Sequence, residues 1–137
     1  MHAPTRPVLD TTGSLLWSGR WHHAGTRLLY AAEHASLAAL ETLIHSGGQQ
    51  IPPRAITLLH LPDDLVIENA EWMEMPASQD FGDIWFRSGR TAVLRVPSIA
   101  VNGMESNFVL NPFHPEFPRI RIEPPQEFLF SRRFFAA

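Results

Sequence analysis

Apolar and polar residues alternate in short runs over most of this chain, and one stretch near its start keeps the longer period of a helix. Over residues 26–32 the alternation puts Leu28, Tyr30 and Ala32 on one face of a predicted strand and Arg27, Leu29 and Ala31 on the other. Tyr30 therefore points to one definite side. Similar runs over residues 55–61, 65–68, 91–96, 108–110, 120–123 and 128–130 predict further short strands, most of them stopped by Pro, Asn or Gly. Residues 36–46 predict a helix instead, opened by Ser36 as cap and stopped by Gly47-Gly48. A second, short helix is predicted over residues 80–87. Many short strands with one strong helix indicate an α+β fold, the helix packed on a mostly antiparallel sheet or sandwich.

On the first helix, Leu37, Leu40 and Ile44 recur at the spacing of a buried stripe, and Glu41 occupies a place on that same stripe. Burying an ionised carboxylate without partners is costly. Glu41 is thus expected to rest at the edge of the stripe, to pair with a cation or to line a cleft.

Composition narrows the class of protein. With 137 residues, 45% of them hydrophobic and 18% charged, the chain suits one folded domain over residues 1–137, and its twelve prolines are scattered rather than gathered into a linker. A net charge of -3 speaks against a nucleic-acid surface. The absence of cysteine excludes disulfides, a thiolate nucleophile and zinc–thiolate sites, and suits the cytoplasm. The first residues lack the apolar core of a signal peptide, and no run approaches the roughly 18 apolar residues of a membrane span. A cytoplasmic protein without a membrane partner is expected.

Three places could carry chemistry. Residues 18–25 form a loop with Gly19 and Gly25 near its ends. In it Arg20 offers bidentate hydrogen bonds to a phosphate, and Trp21 can cover a flat ring. The bland alternative is an ordinary turn carrying an exposed arginine. Ser98 and Asn111 stand beside prolines in rigid loops, either at the rim of a pocket or in turns of purely structural purpose. Glu41 is the third. Seven histidines invite a metal reading, and Glu41 and His45 lie one helical turn apart, but the His-Glu-x-x-His pattern is absent, so no metal is expected. A Ser-His-Asp triad lacks its Gly-x-Ser-x-Gly elbow. Trp72, Trp85 and Phe113 are either core or a face for a homodimer or another partner.

Taken in order, Gly19-Arg20-Trp21, Gly25, Tyr30, Leu37-Ala38-x-Leu40-Glu41, His45, Val96-Pro97-Ser98 and Asn111-Pro112-x-His114-Pro115 resemble the RES domain, a family named for arginine, glutamate and serine positions. The resemblance spans residues 9–134 and implies a fold similar to ADP-ribosyltransferases. It also implies a toxin role in two-gene toxin–antitoxin modules, with NAD as the substrate. Glu41 would then stand beside the ribose and stabilise an oxocarbenium-like species, as in glycoside cleavage. Tyr30 would stack on the nicotinamide ring and Arg20 would pair with the pyrophosphate, with Trp21, Ser98 and Asn111 completing the NAD site. Arg20, Tyr30 and Glu41 form the implied catalytic set. The implied partner is an Xre-like helix-turn-helix antitoxin, with a protein target as a further acceptor of ADP-ribose. Family members begin with a strand bearing an arginine some twenty residues before the Gly-Arg-Trp motif, whereas Arg6 lies 14 positions before Arg20, so a shortened first strand is expected. The alternative this leaves is a catalytically degenerate binding module that engages the antitoxin without NAD turnover.

Overall fold

In the computed structural model, which describes residues 1–135, four strands form the main sheet: β1 (Leu29–Ala32), β4 (Ile67–Asn69), β5 (Val93–Pro97) and β6 (Ser106–Leu110). Their order is β1-β6-β5-β4. The pairs β1–β6 and β6–β5 are antiparallel, while β4 runs parallel to β5. A parallel pair needs a crossover. It is supplied by α3 (Ala77–Ser88), twelve residues long where the sequence predicts only residues 80–87. Among the described residues the fold is α+β, with three helices and mostly antiparallel pairing.

Register and the two-residue period of strands sort the sheet's side chains into two faces. Leu28, Val109, Leu94 and Val96 lie on one face, packed with Trp21 and Trp85, against which Phe81 and Phe86 of α3 also rest. Tyr30 and Asn107 share this face, because Tyr30 pairs with Val109 and Ala32 with Asn107. Leu29, Ala31, Phe108, Leu110, Val93 and Ile67 form the other face and pack with Leu65, Phe117, Ile120, Leu59 and Leu61. Of the three aromatics left open by the sequence, Trp85 is core, whereas Trp72 and Phe113 are exposed.

The strand predicted over residues 55–61 is two strands with different partners. β2 (Arg54–Ile56) pairs with β8 (Gln126–Phe128), and β3 (Leu59–His60) pairs with β7 (Arg121–Ile122). The division mirrors Pro124-Pro125, since proline has no N–H and cannot continue a ladder. The last ladder bond before them runs from Glu123 N to the Leu58 carbonyl at 3.0 Å. These prolines also place β8 at Gln126–Phe128 rather than at residues 128–130.

The first strong helix is α2 (Ala35–His45), and Gly47 and Gly48 follow it with φ of 62° and 85°, the left-handed stop expected there. Two expectations need correction. The helix starts one residue earlier than Ser36, with His34 at the cap position and no side-chain cap bond. Its stripe is also narrower: Leu37 is buried, but Leu40 is 36% and Ile44 54% exposed. The helix meets the protein through β1 and the 3-10 turn Ile99–Val101, and Leu40 and Ile44 lie outside that contact. A short α1 (Thr12–Leu16), too brief to show a helical period, precedes the Arg20 loop.

Candidate functional site

The loop bearing Arg20 is pinned to one side of α3. Ser78 Oγ donates to the Arg20 carbonyl (2.7 Å), and Gln79 Nε2 donates to the Gly19 carbonyl (2.9 Å). One turn on, Asp83 accepts from His23 N (3.1 Å), His23 Nδ1 (2.7 Å) and Thr26 Oγ1 (2.8 Å). Between them Gly82 is indispensable, because a Cβ there would lie 1.7 Å from the Trp21 carbonyl oxygen. Residues 78, 79, 82 and 83 share a helix face by their three- and four-residue spacing. Burial alone would raise the Asp83 carboxyl, but the bonds from His23 and Thr26 outweigh it and hold the group below its ordinary value.

The clamp sets the directions of two side chains. The Arg20 guanidinium lies 4.9 Å from the centre of the Trp72 ring, and its Nη2 donates to the Met73 carbonyl. Trp21 points inward, buried against Phe81 with ring centres 6.1 Å apart. The sequence assigned Trp21 to cover a ligand ring; the half-exposed indole beside Arg20 is Trp72.

Tyr30 is 41% exposed, while its hydroxyl reaches under the loop. The hydroxyl accepts from Trp21 N (3.1 Å) and meets His22 Nδ1 at 2.6 Å. Gly19 is required above it, since a Cβ there would come within 2.8 Å of the Tyr30 oxygen. Arg20 is thus bracketed by Trp21, whose N–H bonds the Tyr30 hydroxyl, and by Gly19, whose missing side chain leaves room for it. Burial, with the nearby Asp83 carboxylate, raises the phenol far above an ordinary tyrosine despite the opposing Trp21 bond. Tyr30 stays protonated at any physiological pH.

Glu41 answers the question its helix position raised: it faces neutral donors. Ser98 Oγ (3.1 Å) and Asn107 Nδ2 (3.0 Å) both donate to Oε1. Among the described residues no donor meets Oε2, which leaves that oxygen for a ligand. Ser98 is fully buried. Its hydroxyl therefore reaches the site only through Glu41. Asn107 is diagonal to Tyr30 across the β1–β6 pair, a separation of roughly 7–8 Å between such neighbours. Tyr30 and the carboxylate of Glu41 accordingly serve the same side of the sheet.

Asn111, two residues beyond Val109 as Asn107 is two before it, lies on the Tyr30 side of the sheet but away from Glu41. Four residues from Asn107, on the order of 13 Å along a strand, its Oδ1 accepts from Phe113 N at 3.0 Å, the turn use that the Asn-Pro sequence left open. Asn107, His22 and the gripping residues of α3 were missed by the sequence. The one signal available was Ser78 and Gly82, small residues one turn apart that allow close backbone approach. Elsewhere, Glu33, His34 and Glu105 bring ligand-type atoms within 4.8 Å of one another. Glu33 there is engaged by Ser106 N (2.8 Å) and Arg95 (3.3 Å). A cavity of about 360 Å³ is floored by Ala31, Phe108 and Leu110 of the opposite face, with Ala35 and Ala38 of α2 as one wall. Among the described residues no helix is long and apolar enough to cross a membrane.

Fold and site together define an α+β protein whose helix-borne glutamate, oriented by a buried serine, shares a sheet face with a tyrosine tied to an arginine loop. Residues 1–131 match the sequence profile of the RES domain, and the chain belongs to that family. It is 33% identical over 139 residues to the Prs ADP-ribosylating toxin of Sphingobium sp. (strain YBL2), covering 91% of this chain and 85% of that protein. It is 33% identical over 136 residues to a Toxin Res of Yersinia enterocolitica, covering 88% and 86%. A Toxin Res of Photorhabdus laumondii is 31% identical over 116 residues, covering 77% and 74%.

Proposed function

We propose that this chain is a toxin that cleaves the bond between nicotinamide and ribose in NAD. The observation that carries the reading is the Glu41 carboxylate, held through one oxygen by Ser98 and Asn107 on the sheet side that also bears Tyr30. Nicotinamide leaves with the electron pair of its bond to C1′, and the positive charge left on the ribose is stabilised by the free oxygen of Glu41. Arg20, steadied by Trp72 and Met73, pairs with the pyrophosphate. The exposed ring of Tyr30 stacks on the cationic nicotinamide, a contact worth about 1–2 kcal/mol when desolvated. Water at C1′ yields ADP-ribose and a proton; phosphate or a protein nucleophile takes the same position in the alternative outcomes. An Xre-like helix-turn-helix antitoxin neutralises the toxin by covering this face.

The similarity to the Sphingobium Prs ADP-ribosylating toxin favours a protein as acceptor. Incubation with NAD labelled in its adenosine half separates the outcomes. Free nicotinamide with label in solution indicates water or phosphate, and label on a polypeptide indicates transfer. Absence of nicotinamide release in this incubation refutes the reading and leaves an antitoxin-binding module.

A further inference from the structure

The imidazole of His22 is buried beside the site, and the chemistry above gives it no task. Its two nitrogens have different partners: Nε2 lies 2.9 Å from the Trp17 carbonyl oxygen, and Nδ1 lies 2.6 Å from the Tyr30 hydroxyl. A carbonyl can only accept, so Nε2 carries the hydrogen, and in the neutral ring Nδ1 is an acceptor. The Tyr30 O–H must then donate to Nδ1, while the Tyr30 oxygen accepts from Trp21 N. The result is a chain of bonds with a fixed sense, from Trp21 N–H through Tyr30 and His22 to the carbonyl of Trp17.

We infer that His22 is a positioning residue for the NAD reaction: its Nδ1 fixes the direction of the Tyr30 hydroxyl and couples the Tyr30 ring to the Arg20 loop. The inference rests on the proposed NAD cleavage for its kinetic consequence, but not for its geometry. A phenol free to turn about its C–O bond could still pack in this place. One held between a donor and an acceptor also fixes the tilt of its ring, the surface assigned to nicotinamide. Because the hydroxyl is occupied in both senses, Tyr30 acts through its ring and passes no proton to substrate.

Two conservative variants divide the two bonds. Asparagine places its amide oxygen one bond beyond Cγ, where Nδ1 sits, and so keeps the acceptor for Tyr30. Glutamine reaches to the place of Nε2 and keeps the donor to Trp17, but loses that acceptor. His22→Gln is expected to lower kcat about fivefold, the scale of one neutral hydrogen bond, with KM and thermal midpoint little changed. His22→Asn should stay within about twofold of the parent, and His22→Gln added to Tyr30→Phe should cost nothing further. Equal loss in both single variants, or greater loss in His22→Asn, would overturn the inference and leave His22 a structural tie to Trp17.

A readout independent of activity exists because Tyr30 is the chain's sole tyrosine. Its Raman ring doublet, whose intensity ratio follows the hydrogen bonding of the phenol, reports whether the hydroxyl donates. It should indicate donation in the parent and in His22→Asn, and shift toward acceptance in His22→Gln. An unchanged doublet across all three refutes the inference. A parent that releases no nicotinamide but shows this spectral pattern refutes the NAD reading alone.

Discussion

The two faces of the four-stranded sheet are built from the same strands by opposite rules. On one, Leu29, Ala31, Phe108, Leu110, Val93 and Ile67 pack against Leu59, Leu65, Phe117 and Ile120, and the charge on that face, Arg95, lies over Phe108 at its exposed end and is paired with Glu33. On the other, Tyr30 and Asn107 interrupt a row of Leu28, Val109, Leu94 and Val96. Each polar residue there needs a partner, because an unpaired buried group costs about 1–3 kcal/mol. The partners come from separate elements: the Gly19–His23 loop caps Tyr30, and α2 brings Glu41 to Asn107. A face that departs from plain apolar packing, and recruits two further elements to satisfy the departure, is where function is expected. The apolar face supplies the rigidity on which that arrangement stands.

This contrast can be broken at several points. Leu110→Ala, at the centre of the apolar face, should lower stability by about 2–5 kcal/mol in denaturant unfolding, while the nicotinamide released per folded molecule stays unchanged. Asp83→Ala strips His23 N, His23 Nδ1 and Thr26 of their acceptor and should cost about 1–3 kcal/mol. Because the folded Asp83 carboxyl lies below its ordinary value of 3.8, the stabilisation is full above that pH and is lost as pH falls through the folded value. Asp83→Asn should therefore flatten the acid limb of the stability curve below about pH 4, and an unaltered limb would remove Asp83 from the account.

Smaller effects test the polar face itself. Asn107→Ala removes one of the two bonds to Glu41 and should reduce kcat about tenfold, with a thermal midpoint close to the parent's. A large fall in stability instead would make Asn107 a core residue like its apolar neighbours. Trp72→Ala frees the Arg20 guanidinium from its ring, an exposed cation–π contact of about 0.5–1 kcal/mol. KM for NAD should rise about two- to fivefold, kcat remaining as it was.

How much of this was legible in the sequence follows from the range of each interaction. The face of Tyr30, the helix bearing Glu41 and its stop at Gly47-Gly48 are local patterns, and each appears where the periodicity places it. The partners of Glu41 lie 57 and 66 residues away, so no spacing announces them. Asn107 stood one residue outside the strand predicted from 108, because a polar residue at a strand's start looks like a loop. The first turn of α3 escaped notice because Ala77, Ser78 and Gln79 carry no apolar period; that turn spends its side chains on loop carbonyls rather than on the core. The overestimated stripe of α2 has the same origin. Periodicity reports which face of a helix is apolar, not how much of its length a neighbour covers. Even the parallel β4–β5 pair was hidden, since it depends on where the crossover helix lands.

The most direct test compares nicotinamide release from NAD by the parent chain and by Glu41→Gln, with both shown to be folded by their thermal midpoints. Glutamine keeps an oxygen to accept from Ser98 and Asn107 but carries no charge to place beside the ribose. Release should fall on the order of a hundredfold while the midpoint changes little. Undiminished release by Glu41→Gln would contradict the assignment of the carboxylate, and with it the central claim that this polar face cleaves NAD.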